Sequence, residues 1–461
     1  MLTAEAQKYS AACTAFTESL QFENIPAPAL DMVKCCLLDW LGCVIQGHLR
    51  KHADPAKAYV RTMGGAAQAS MVGEKKAGTI MAAAFFNGYL GHILEMDDVD
   101  RESISHPATV IIPAALAVGE WRGKTGKDII TAIVAGYEVM LRIGAAVTPR
   151  HYDIWHTTGT AGAFGAAMAA GKLFDLTRPE LDWALGNAGT MAAGLWQFLL
   201  DGGMSKFLHA GRAAENGVMA AYLATQGFSG ATRILEGEQG FFAGYARQEI
   251  NPQFFGDFGS NWRSALVSIK PYPCCRHIHS SIDAANAVRE KAMGKKIKAV
   301  RVKTYAAAVQ VADILDPKTT QEAKFSLRFC VARTLMNGLM TDRDFTNETL
   351  HDATTRELMK KVGVKIDPAL DAMMPRNWPS HVEADLEDGS TVRAEFHSPT
   401  GDPDNPVDWQ GIIRKFSQMS EGVLNDKGVQ AVADACKSVE DMPGNAALIQ
   451  LINKHGKFPH M

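Results

Sequence analysis

The chain has 461 residues and a formal net charge of −3, with 47% apolar and 21% charged residues. These values are typical of a soluble globular protein that is long enough for two domains. Because the charge is nearly balanced, there is no electrostatic reason to expect binding to nucleic acid or to an anionic membrane. An anionic ligand would have to be held by local cationic groups.

The N-terminus and the cysteines favour a cytoplasmic location. Residues 1–10 lack the basic region and the apolar stretch of a signal peptide, and no later window offers about 18 uninterrupted apolar residues. The 8 cysteines form no Cys-x-x-Cys pair and stand at no zinc-finger spacing from paired histidines. We therefore expect buried or idle thiols in a reducing compartment.

Residues from about 5 to 265 are predicted to be mostly helical. Residues 28–46 carry apolar side chains at helical spacing, Pro28 suits the first turn and Gly47 suits the stop. Five further segments show the same spacing: 108–121, 126–147, 158–174, 179–193 and 212–226. Many of their residues are Ala or Gly, which predicts closely packed helices.

The pattern changes near residue 266. Residues 300–303 alternate as a strand does, residues 323–339 are helical, and residues 381–397 predict a hairpin with Asp388-Gly389 at its turn. The chain becomes helical again after Pro399. The prediction is a mostly α protein in three segments: a large all-helical domain (1–265), a smaller α+β lid domain (266–396) and a helical tail (397–461) that rejoins the first domain.

Three polar segments interrupt the apolar helices. They are Glu95 to Asp100 followed by His106, His151 to Thr160, and Gly203 to Lys206. The four carboxylates of the first would repel one another and be costly to bury, so it is open to interpretation as a solvated loop. The second precedes an apolar helix whose free N–H groups attract anions, although helix capping by Thr157 or Thr158 also explains it. Lys206 either reaches solvent along its stem or pairs with an anion.

A fourth polar segment opens the smaller domain. Pro271 and Pro273 stiffen it, and its polar side chains are Lys270, Tyr272, Arg276, His277 and His279. It is either a rigid connector with solvated charges or a fixed array that binds an anion. Zinc binding by Cys274, Cys275 and the histidines is disfavoured, because their spacing is wrong for a structural site.

Together these segments resemble the MmgE/PrpD family, which includes 2-methylcitrate dehydratases, cis-aconitate decarboxylases and an iminodisuccinate epimerase. The resemblance spans nearly the whole chain and follows the family's order of motifs. The motifs are Phe22-Glu23-Asn24-Ile25-Pro26, Leu38-Asp39-Trp40-Leu41-Gly42, Met96-Asp97-Asp98, His106-Pro107, His156-Thr157-Thr158-Gly159-Thr160, Lys270-Pro271-Tyr272-Pro273-Cys274-Cys275, Lys324-Phe325-Ser326-Leu327 and Gly401-Asp402-Pro403-Asp404-Asn405-Pro406.

The resemblance implies a homodimer, an active site between the helical domain and the lid, and no metal or organic cofactor. The catalytic residues it implies are His106, His156, Lys206 and Asp97, and the substrate-binding residues are Glu95, Asp98, Lys270 and His279. The same polar segments add Tyr152 as a catalytic candidate and Thr157, Tyr272, Arg276 and His277 as substrate-binding candidates.

The implied activity is that of a cofactor-independent lyase on a small di- or tricarboxylic acid. His106 and His156 would move a proton at a carbon next to a carboxylate. Lys206, Lys270 and Arg276 would grip the carboxylates and stabilise the developing charge. Decarboxylation, dehydration and epimerisation all require proton transfer at such a carbon and stabilisation of the developing charge. An epimerase of an iminodisuccinate-like dicarboxylate is therefore an alternative.

Two departures from the family keep other functions open. Glu95 stands where family members often have Asp, and Val99 stands where they often have Thr. These changes put the substrate's identity in doubt and permit a non-catalytic homologue that only binds a carboxylate. A metal-dependent hydrolase that uses the Asp and His segments is a further alternative.

Overall fold

The computed structural model describes residues 8–443 and 447–458. The chain divides into two compact units. The first comprises Met1–Ile93, Asp97–Val267 and Asp408–Met461, and the second comprises Leu94–Met96 and Ser268–Val407. The predicted fold class is confirmed, because the first unit is helical and the second combines helices with one small sheet.

The first unit is built from helices of four to 22 residues. Its helices are α1 (Lys8–Ser19), α2 (Ala27–His48), α3 (Asp54–Met63), α4 (Ile80–Gly91), α5 (Ala108–Arg122), α6 (Gly126–Val147), α7 (Thr157–Leu173), α8 (Arg178–Thr190), α9 (Gln197–Leu200), α10 (Ser205–Thr225), α11 (Phe241–Tyr245), α12 (Gln253–Gly256) and, after the second unit, α20 (Trp409–Met419), α21 (Asp426–Lys437) and α22 (Ala447–His455).

The helix α7 forms the centre of this unit and packs against α5, α6 and α10. The approach is close: a Cβ at Gly165 would lie 2.7 Å from the carbonyl oxygen of Gly136, and one at Gly217 would lie 2.3 Å from the Cβ of Ala166. The Ala and Gly residues therefore serve close helix packing, as predicted.

The helix α6 is long and apolar enough to cross a membrane by length and composition, but it is buried inside the first unit. It carries a buried ion pair, in which Arg142 Nη1 lies 2.6 Å from Glu138 Oε2. Burial of this kind is typical of the core helix of a soluble protein. The thiols are also buried as expected, with Cys35 partly exposed.

The second unit contains helices and a four-stranded sheet of order β2-β1-β3-β4. Its helices are α13 (His279–Ala292), α14 (Ala306–Ala312), α15 (Thr320–Ala323), α16 (Leu327–Asn337), α17 (Asn347–His351), α18 (Ala353–Lys360) and α19 (Pro368–Asp371), and its strands are β1 (Ile297–Thr304), β2 (Val362–Ile366), β3 (Ser380–Leu386) and β4 (Thr391–Phe396). The pairing is parallel between β1 and β2 and antiparallel elsewhere. The predicted hairpin is confirmed, and Gly389 supplies its positive φ of 85°.

Some predicted helix bounds are wrong. The helix expected from residue 212 begins at Ser205, so Lys206 lies in its first turn and not in a loop. The helix expected over 323–339 is divided, because α15 ends at Ala323 and α16 begins at Leu327, where the Ser326 hydroxyl caps the Phe329 N–H. The first predicted helix also continues past Gly47 to His48.

Candidate active site

Four histidines of the first unit lie together where helices begin or end. His92 follows α4, His106 stands just before α5, His156 is the N-cap of α7 and His209 lies in the second turn of α10. The ring centroids are 4.9 Å apart for His92 and His106, 5.6 Å for His92 and His156, 6.4 Å for His106 and His156, and 5.4 Å for His156 and His209. We call these residues the histidine cluster.

Each ring of the histidine cluster is oriented through its Nδ1 atom. In His92 this atom lies 2.6 Å from Asp97 Oδ2, and in His106 it lies 2.6 Å from the carbonyl oxygen of Asp98. The Nδ1 atoms of His156 and His209 lie 3.2 Å apart. Because an imidazole has two nitrogens, these contacts leave Nε2 of His92 and of His156, which make no hydrogen bond within the described residues, as atoms that can face other chemistry.

The charges around His106 and His156 differ in sign. Burial lowers the pKa of His156 well below its ordinary value, and the positive charge of Lys206 lowers it further. His156 is therefore neutral near pH 7 and suited to accept a proton. Asp97 Oδ2 lies 3.7 Å from His106 Nδ1, where its negative charge stabilises an imidazolium.

Lys206 is buried, with 5% of its surface exposed. It does not extend along its stem into solvent, so one of the two interpretations left open by the sequence is excluded. The charge of Lys206 lowers the pKa of His156 and of His209, so it acts on the histidine cluster. Burial also lowers the pKa of His209, which falls to about 4. A buried cation at this position suits a ligand with carboxylate groups.

The acidic segment lies between α4 and α5 and is buried, so its interpretation as a solvated loop is wrong. Asp98 accepts hydrogen bonds from the Ala108 N–H, at 2.9 Å, and from the Tyr137 hydroxyl, at 2.8 Å. Burial raises the pKa of Asp98 well above its usual range, and the N–H donated by Ala108 partly offsets this. Asp98 therefore fixes the start of α5 beside His106, and its predicted contact with substrate stays a prediction.

The start of α7 adds hydroxyl groups to the site. The N-cap residue is His156, which makes no side-chain cap, so capping by Thr157 or Thr158 is wrong. Thr158 Oγ1 instead accepts a hydrogen bond from the His106 N–H at 3.1 Å. Thr157 Oγ1 is buried and makes no hydrogen bond within the described part of the chain, so it is available to a ligand.

Tyr152 reaches the histidine cluster through a tryptophan. It is half-buried and packs edge-on against Trp196, with ring centroids 5.0 Å apart. The Trp196 ring lies 4.8 Å from that of His156. A catalytic role for Tyr152 stays a prediction, and Trp196 forms an apolar side of the cluster that no sequence motif indicated.

The substrate-binding candidates of the second unit make contacts with one another and with other residues of that unit. Lys270 Nζ lies 3.8 Å from Glu95 Oε2, and both side chains are buried. Arg276 pairs with Asp402 and also donates to the Thr400 carbonyl oxygen at 3.2 Å. Arg276 Nη1 lies 2.9 Å from His279 Nδ1. A substrate-binding role for these residues stays a prediction, and the contacts of Arg276 also hold the unit together.

Tyr272 and His277 make contacts that stabilise the second unit. The Tyr272 hydroxyl donates to Asp283 Oδ1 at 2.5 Å. His277 stacks on Trp378 with ring centroids 4.5 Å apart, and burial lowers its pKa to about 3. Since both side chains are buried and bonded, these contacts favour a structural role, and their binding to substrate stays a prediction.

Two members of the histidine cluster were missed among the sequence candidates. His92 stands between apolar residues at the end of α4, where nothing in the sequence marks it as functional. His209 had a signal, because it lies three residues after Lys206, and that spacing places both side chains on one face of a helix.

Comparisons with known proteins agree with this architecture. Residues 12–253 match the model of the MmgE/PrpD N-terminal domain, and residues 272–439 match that of the MmgE/PrpD C-terminal domain. A cis-aconitate decarboxylase of Aspergillus terreus is 26% identical over 96% of each chain. Human cis-aconitate decarboxylase is 27% identical over 80% of this chain and 79% of its own, and a 2-methylcitrate dehydratase of Salmonella typhimurium is 23% identical over 77% of each. These relatives are lyases, and the chain described here belongs to the MmgE/PrpD family.

Proposed function

We propose that this protein is a cofactor-independent lyase that removes CO₂ from a small unsaturated tricarboxylic acid of the cis-aconitate type. The observation that carries the proposal is the pair His106 and His156, 6.4 Å apart between ring centroids and differing in electrostatic surroundings. Environments that shift the pKa values of two titratable groups apart make one group an acid and the other a base. The cis-aconitate decarboxylase of A. terreus supports the choice of substrate class, because it aligns over 96% of both chains.

In the proposed reaction His106 is the proton donor. The proton adds to an alkene carbon of the acid, the bond to the departing carboxylate breaks, and its electrons form the new double bond as CO₂ leaves. Lys206 binds a second carboxylate and stabilises the charge that develops. His156 accepts a proton from solvent and passes it on to His106, which restores the proton donor for the next turnover.

The test is a substrate screen read by proton NMR in D₂O. Purified protein is incubated separately with cis-aconitate, 2-methylcitrate and iminodisuccinate, with and without EDTA. We expect loss of CO₂ from the first acid with one deuterium in the product, and the same rate in EDTA. Loss of water from 2-methylcitrate would instead mean a dehydratase, and deuterium uptake without a new constitutional product would mean an epimerase. No change in any acid would leave only carboxylate binding.

A further inference from the structure

We infer that His92, His106 and His156 form a binding site for a divalent transition metal such as Zn²⁺, whose occupation blocks the proton-transfer site. The metal-binding part stands on geometry alone. The inhibition part rests on the proposed function, because the metal and the transferred proton use the same nitrogens. Nothing in the family resemblance implies such a site.

The three rings are arranged as metal-binding histidines are. Their ligand atoms all lie within 4.8 Å of one another, and all three residues are buried. The Nε2 atoms of His92 and His156 are buried and make no hydrogen bond within residues 8–443 and 447–458. Burying a polar nitrogen without a partner costs free energy, which a bound cation would recover.

The outer contacts of these rings strengthen the case. Metal-binding histidines usually hold the other ring nitrogen against a carboxylate or a backbone carbonyl, which fixes the tautomer and aims the ligand atom. His92 has this contact with the Asp97 carboxylate, and His106 has it with the Asp98 carbonyl oxygen. His156 differs, because its Nδ1 lies 3.2 Å from Nδ1 of His209 and not from a carboxylate or a carbonyl oxygen. The outer contacts therefore fix two of the three rings, and His92 and His156 each keep a buried Nε2 that makes no hydrogen bond within the described residues.

Size and charge determine which ion fits. Nitrogens at about 2.0–2.1 Å from zinc in a tetrahedral site lie roughly 3.4 Å apart, so the rings must close by about 1 Å. Imidazole ligands suit Zn²⁺, Co²⁺ and Cu²⁺, whereas Mg²⁺ and Ca²⁺ prefer oxygen. Asp97 provides the negative charge that favours a cation, and the charge of Lys206 opposes it, so a substrate carboxylate at the fourth position would add affinity.

The experiment titrates the full chain, first stripped with EDTA and dialysed, with Co²⁺ and Zn²⁺. We expect one Co²⁺ per chain with the visible bands of a tetrahedral nitrogen site, and one Zn²⁺ by calorimetry that displaces it. His92→Gln and His156→Gln should each abolish stoichiometric binding. Asp97→Asn keeps the three rings and changes only the carboxylate beside His92 and His106, so it should weaken binding about 10- to 100-fold. His397→Gln is the matched control, because His397 is an exposed histidine of the second unit.

The outcomes separate the two parts of the inference. Binding that persists in both histidine variants, thiolate-to-metal absorption from the cysteines, or less than one ion per chain would overturn the metal site. Circular dichroism melts check that the variants fold, and Asp97→Asn provides the readout if a glutamine variant does not. Zn²⁺ should abolish decarboxylation and EDTA should restore it; full activity with zinc bound would overturn the inhibition. A chain that binds zinc but turns over no acid would refute only the proposed function.

Discussion

His106 is positioned by contacts to both its backbone and its ring. Its N–H donates to Thr158 and its Nδ1 meets the Asp98 carbonyl oxygen, so the side chain has one orientation before any substrate arrives. Preorganisation of this kind is what general acid catalysis requires. We therefore expect His106→Ala to lower kcat for cis-aconitate by about 10²- to 10⁴-fold.

The measurement for His106→Ala is steady-state kinetics together with a thermal melt. The melt checks that the variant folds, because the deleted ring is buried and its contact with the Asp98 carbonyl oxygen is lost. His397→Gln, on the surface of the second unit, should retain the kinetics of the natural chain. Near-normal turnover by a folded His106→Ala protein would reject the acid role.

Lys206 is predicted to act in binding more than in proton transfer. Lys206→Met keeps the apolar stem and removes the charge, so a buried carboxylate of the substrate loses its cation. A charge-assisted hydrogen bond contributes about 1.5–3 kcal/mol, and KM should therefore rise by roughly 10- to 100-fold. Lys437→Met, at an exposed position in α21, is the control. An unchanged KM would contradict the role of Lys206.

Individual residues show how far sequence reasoning reaches into the site. His106 and His156 were found because they stand in motifs, and Lys206 was found because its polar segment interrupts the apolar helices. The structure brings the three into one neighbourhood of the first unit. His92 was not found, because only the fold brings it next to Asp97 and His156. The buried state of Asp98 also depends on Tyr137, a distant partner that the acidic segment itself does not reveal.

At the scale of helices, prediction succeeded where local chemistry marks the ends. The bounds of α6 match the predicted 126–147, because Thr125 and Asp128 form a capping box. It failed for α10, because the helix was predicted to begin at residue 212, after the polar segment around Lys206, although it begins at Ser205. The start of α10 depends on tertiary burial, which local sequence patterns do not reveal.

A close helix contact of the core gives a prediction for α7. Gly165→Ala would place a methyl group 2.7 Å from the Gly136 carbonyl oxygen and 2.7 Å from Ile111 Cδ1. Backbone cannot move aside as a flexible side chain does, so we expect a loss of about 1–3 kcal/mol in the free energy of unfolding. The loss is measured as a fall in the urea concentration at which half of the protein is unfolded.

The control for this change is Gly244→Ala in α11, where an added Cβ has no neighbour within 4 Å. Alanine is the better helix former, so this variant should be neutral or more stable by up to about 1 kcal/mol. Equal losses in both variants would mean that close packing at Gly165 is not the cause.

At the scale of the whole molecule, we propose that the chain works as a homodimer through the segment from Leu195 to Leu208. Four large apolar side chains of this segment are exposed: Leu195 by 50%, Leu200 by 82%, Met204 by 47% and Leu208 by 44%. Monomeric proteins rarely leave neighbouring apolar groups in water, and a second copy of the chain would bury them. The same segment leads into α10, which carries Lys206 and His209, so association would also steady one side of the histidine cluster.

Leu200→Glu tests this assembly. Light scattering of the natural chain should give twice the chain mass of 49.9 kDa, and the variant should approach the monomer mass at low concentration, because a carboxylate at a buried contact is costly. Leu315→Glu alters a leucine of the second unit that is 65% exposed, and it should leave the dimer intact. A natural chain that scatters as a monomer would contradict the assembly outright. Two results together would show that the first turns of α10 need the partner to hold Lys206 in place. Leu200→Glu would be monomeric, and the KM of the natural chain would rise as the chain is diluted.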